Sequence, residues 1–98
     1  MVTDKDIGKN VYFLRVYNGE IHKAFLKNII GKGFQWCVIF VKKDKEKCYN
    51  LIEPIENVFK SKRDMIRYIK NISINDMICL GNNKYVHLNE MSRKIKDF

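Results

Sequence analysis

No stretch of this chain approaches the roughly 18 consecutive apolar residues that a membrane-spanning helix needs. Its opening residues, MVTDKDIGKN, lack the apolar run of a secretory leader. These absences lead to the expectation of a soluble protein of the cytoplasm with no membrane partner. Catalytic signatures are missing too: there is no G-x-S-x-G, no glycine loop ending in Lys-Ser or Lys-Thr, and no H-E-x-x-H. Gly31-Lys32-Gly33 is a lone G-x-G between elements, which means a turn. The 11 acidic residues sit mostly beside lysines and form no acid–base constellation. No catalytic residue and no cofactor is assigned, and a non-enzymatic protein is expected.

Cysteine is sparse and odd in number. Cys37, Cys48 and Cys79 include no C-x-x-C, and His22 and His87 fall at no ligand spacing from them, so no metal is expected. Arginine is also scarce, at 4 against 15 lysines. Lys, Ile and Asn all have AT-rich codons, so base composition competes with phosphate recognition as the source of the net charge of +8.

What is present bounds the fold. A chain of 98 residues has room for one domain, and 46% hydrophobic with 12% aromatic residues is ample for a folded core. From Asn10 to Tyr17 the β-branched and aromatic run VYFLRVY reads as a strand, closed by the turn pair Asn18-Gly19. Residues 20–30, EIHKAFLKNII, fit both a helix and a half-exposed strand, and the Asn-Gly pair decides for the strand.

The segment FQWCVIFVKKDKEKCYNLIE, residues 34–53, predicts a hairpin whose first strand is apolar at both alternate sets and therefore covered on both faces. Placing Asp44 and Lys45 at the tip sets a register in which paired numbers total 89, so that Phe40 faces Tyr49 and Lys43 faces Glu46. Cys37 then lies on the same face as Cys48 but about 13 Å away along the sheet, beyond the about 7 Å between Cα atoms that a disulfide allows. All three cysteines are read as small core residues.

SKRDMIRYIKN, residues 61–71, is the clearest helix, opened by a capping-box pattern of Ser61 and Asp64. Met65, Ile69 and Ile72 form its apolar side, and Arg63, Arg67 and Lys70 a basic stripe opposite. That stripe holds half of the arginines and is the part of the charge that composition explains least. Residues 77–88 read as a second hairpin, and NEMSRKIKDF as a short C-terminal helix capped by Asn89, with Met91, Ile95 and Phe98 on one face.

A Gly-Lys opening with VYFLRV, then NGEIHKAFLKNI, a strand pair and ENVFKSKRDMIRYI together resemble small SH3-like barrel proteins of bacterial phages and plasmids. In those, barrel strands lead into a VF-x-[ST]-K signature and a closing helix, here Val58, Phe59, Lys60, Ser61 and Lys62. The resemblance covers residues 8–71 and implies a fold and a mobile-element origin; residues 73–98 lie outside it and are free to carry partner binding.

The expected fold is α+β, mostly β: a small SH3-like antiparallel barrel with strands over 10–59, then a helix, a hairpin and a short C-terminal helix. The expected function is nucleic-acid binding. Arg63, Arg67, Lys70 and Lys62 would grip phosphates, Lys42, Lys43, Lys45 and Lys47 would make a second contact, and Trp36 or Tyr49 would stack on bases if exposed. The alternatives are a mobile-element protein that binds a host protein such as a defence nuclease, and a winged-helix DNA binder, which needs a helix at residues 19–30. Oligomeric state is left open, with a dimer among the options.

Overall fold

Gly19 adopts a φ of +69°, the left-handed conformation that a tight reversal between two apolar runs requires. The computed structural model describes residues 1–15, 18–44, 47–81 and 83–98, with the side chains at 42–44 and 47 outside that description. The runs flanking the reversal are β1 (Asn10–Arg15) and β2 (Glu20–Ile30), paired antiparallel from Arg15 opposite Glu20 to Asn10 opposite Phe25. Residues 16 and 17 of the expected first strand lie outside the described residues. Residues 20–30 are a strand, so the helix that a winged-helix architecture needs there is not formed.

β3 (Trp36–Asp44), β4 (Lys47–Pro54) and the two-residue β5 (Val58–Phe59) complete one antiparallel sheet in the order β4-β3-β2-β1-β5. The first half of β2 pairs with β1 and the second half with β3, with a register shift between Leu26 and Asn28. A bulge there bends the strand, and the sheet curls over its inward residues. Val11, Phe13, Ala24, Leu26, Cys37, Ile39 and Val58 make this first core, and Val2 joins them from the N-terminal segment. That segment is held by a short 3-10 turn in which the Thr3 amide donates to Asp6 at 2.8 Å.

The other side of β1, β5 and the start of β2 carries Leu14, Ile21 and Phe59. Against them pack Met65 and Ile69 of α1 (Lys62–Ile72), Ile78 and Leu80 of β6 (Met77–Leu80), and Met91 and Ile95 of α2 (Leu88–Asp97). β6 pairs with β7 (Lys84–His87) in a separate two-stranded sheet. The architecture is thus α+β and mostly strand, with the helices on one side of the sheet only. Among the described residues no ladder joins β5 to β4, so the sheet is curled but not closed by hydrogen bonds.

Several expectations are corrected. The β3–β4 register totals 90, not 89: Val41 faces Tyr49, Phe40 faces Asn50 and Cys37 faces Glu53. Because side chains alternate, that single step moves Cys48 to the face opposite Cys37. Only Cys37 is buried; Cys48 and Cys79 are exposed thiols rather than core residues. Nor is β3 covered on both faces, since Trp36, Val38 and Phe40 point away from the first core and the helices do not extend over them. α2 is capped by His87 rather than Asn89, whose amide donates to the His87 ring at 3.1 Å.

Candidate nucleic-acid interface

Ser61 starts α1 as its N-cap, its hydroxyl accepting from the Asp64 amide at 3.2 Å. With the helix phase fixed by buried Met65 and Ile69, residues 63, 67 and 70 fall on the solvent side, and all three are exposed. α2 lies beside α1, pinned by two lysines. Lys62 Nζ donates to the Lys96 carbonyl at 3.3 Å, and Lys94 Nζ to the Gly19 carbonyl at 2.9 Å. A cation at the carbonyl end of a helix also meets its dipole favourably.

Between the helices runs a groove of about 510 Å³ lined by Lys62, Arg63, Ile66, Arg67, Lys70 and Lys96. Among the described residues, five cations line it and no carboxylate does. Outside the groove, Arg15 lies 3.7 Å from Glu53 and Lys60 lies 3.9 Å from Asp6. Asp6 is held below the usual carboxylate range, first by the Thr3 amide and then by the Lys60 and Lys9 charges. Among the described residues, no carboxylate is within ion-pair distance of Arg63, Arg67 or Lys70. Like charges share the groove with no carboxylate lining it, so a bound polyanion would relieve their repulsion.

The structure therefore brings four expected residues, Lys62, Arg63, Arg67 and Lys70, to one groove. Sequence reasoning missed Lys96, which reaches it only because α2 docks on α1. The hairpin-tip lysines are a separate matter. Lys45 lies outside the described residues, as do the side chains of Lys42, Lys43 and Lys47. Of the stacking candidates, Trp36 is exposed on the outer face of the sheet. Tyr49 points inward and packs, half-buried, against the first core. Phe25 and Phe40 are the unforeseen aromatics, register partners on that same outer face.

No metal cluster of three or more His, Cys, Asp or Glu residues is present among the described residues, and no helix among them is long and apolar enough to cross a membrane. The chain was compared with family models, with curated proteins and with solved structures, and none of the three comparisons gives a match.

Proposed function

We propose that this protein binds nucleic acid, with the sugar–phosphate backbone lying along the α1–α2 groove. The observation that supports this best is the groove itself, with five cations, no lining carboxylate, and Arg63 and Arg67 free to fork onto phosphate oxygens. Enrichment of arginine here, in a chain that otherwise favours lysine, separates this patch from bulk composition. The curled five-stranded sheet is taken as an SH3-like barrel scaffold of a phage or plasmid protein acting in the host cytoplasm, and the groove as its working surface.

The test is direct titration of labelled DNA and RNA with the purified protein at rising salt. Binding by phosphate neutralisation weakens steeply as salt rises. The exposed apolar face of β3 favours a second reading, in which a host protein is bound instead. A stoichiometric protein complex that survives both nuclease treatment and high salt, with no affinity for either nucleic acid, would replace the first reading by the second.

A further inference from the structure

The outward face of β2, β3 and β4 is a feature that the groove does not explain. Phe25 and Trp36 each retain 40% of their surface in solvent, and Ile52 retains 58%. Phe25 and Phe40 face each other across the ladder, and beside them is a hollow of about 630 Å³ bordered by Asn10, Tyr12, Lys23, Phe25 and Phe40. Trp36 stands on the same face of β3 as Phe40, about 13 Å further along the strand.

Two observations say what this face accepts. First, it adjoins the cationic groove. Lys96 lines the groove, and Phe98, two residues on, meets the Tyr12 ring edge-on with centroids 6.4 Å apart. Tyr12 in turn borders the hollow, so the C-terminal end of α2 stands between the groove and the aromatics. Second, the charge around the face suits an anion. From Phe25 to Ile30, Trp36 to Phe40 and Asn50 to Pro54, the outward register positions carry no carboxylate, while Lys23 stands at the margin. A second copy docked here would instead set two chains of charge +8 against each other.

We propose that this face is a base-stacking platform for single-stranded nucleic acid, an inference that rests on the phosphate-binding reading of the α1–α2 groove. Unpaired bases lay their flat faces on Phe25, Phe40 and Trp36, Lys23 meets the backbone, and the Asn10 amide is placed to bond a base edge. A duplex keeps its bases stacked inside and cannot offer them.

Trp36 is the only tryptophan, so its fluorescence reports on the platform without any substitution. A labelled oligo-dT and a duplex of equal length are titrated at the same salt. The expected result is about ten-fold tighter binding of the single strand, with quenching of Trp36. Phe25→Ala and Phe40→Ala, checked for folding by thermal melts, should each weaken oligo-dT by about ten-fold and leave the duplex unchanged. Equal affinity for both probes with Trp36 unquenched would overturn the platform and leave the groove standing. Binding of neither probe would overturn both. A dimer that Phe25→Ala dissociates, with oligo-dT affinity unchanged, would make the face a self-association surface and also overturn the proposal.

Discussion

Arg15 Nε lies 3.7 Å from Glu53 Oε1, although their strands, β1 and β4, are separated by two others in the sheet. In a flat sheet the ladder spacing alone would hold those strands about 14 Å apart. The contact exists because β2 bends at its bulge and folds the two halves of the sheet toward each other. The pair is thus a direct marker of the curl. With 24% and 16% of the two side chains in solvent, the bond is neither fully screened nor deeply desolvated. Glu53→Gln is expected to cost about 1 kcal/mol, seen as a fall in Tm of roughly 4–8 °C. An unchanged Tm would mean that apolar packing alone holds the bend.

The turn from β2 into β3 depends on one backbone conformation. Gly31 has a φ of +106°, and a Cβ there would lie 2.2 Å from the Phe34 carbonyl oxygen. The obstacle is backbone, so it cannot swing aside. Gly31→Ala should therefore destabilise by more than about 2 kcal/mol. Gly33→Ala, at a φ of +81° with open space around the added atom, should cost about 1 kcal/mol. Urea unfolding of the two variants distinguishes them, and equal costs would contradict the clash.

Cysteine chemistry separates the thiols by burial. Burial pushes the Cys37 thiol up to about 11, while Cys48 and Cys79 are exposed. At mildly alkaline pH a thiol reagent should label two cysteines in the folded protein and the third only on unfolding. The sign for stability follows from proton counting. From pH 9 to about 11 the unfolded thiol ionises and the folded one does not, so Cys37 makes stability fall across that window and leaves it level below. Rapid labelling of all three in the native state would show that Cys37 is accessible.

His87 caps α2 through its Nδ1 atom, which accepts from the Asn89 amide. Replacing it with alanine removes the acceptor at a cost of about 1 kcal/mol, whereas Asn, a preferred capping residue, should restore most of it. Melting temperatures in the order wild type, His87→Asn, His87→Ala check this, and identical values for the two variants would show the bond to be idle.

Much of this architecture was legible because its signals are local. Asn18-Gly19 fixed the first hairpin against a competing helical period in residues 20–30, and Ser61 with the Met65–Ile69 spacing fixed α1. What was not legible depends on partners distant in sequence. The run from Trp36 to Val41 is apolar at both alternations, so nothing within it tells which face meets the core. The hairpin tip gives no unique register either, and a one-residue difference was enough to put Tyr49 inside and Cys48 outside. The basic stripe was visible at helical spacing, yet the groove was not, because Lys96 comes from the far end of α2. His87 as a cap was hidden for a different reason. Histidine is not among the usual capping residues, and Asn89 offered a more familiar start.

The central claim is that phosphates are neutralised in the α1–α2 groove, and the slope of log affinity against log salt measures it most directly. Wild type is titrated with a labelled single strand across a salt series beside a variant carrying Arg63→Gln, Arg67→Gln and Lys70→Gln. All three positions are exposed, so the variant should keep its fold. Each neutralised phosphate contributes about −0.7 to the slope for a single strand, so the variant's slope should be shallower by about 2, with weaker binding at every salt concentration. Superimposable slopes and affinities for the two proteins would contradict the account.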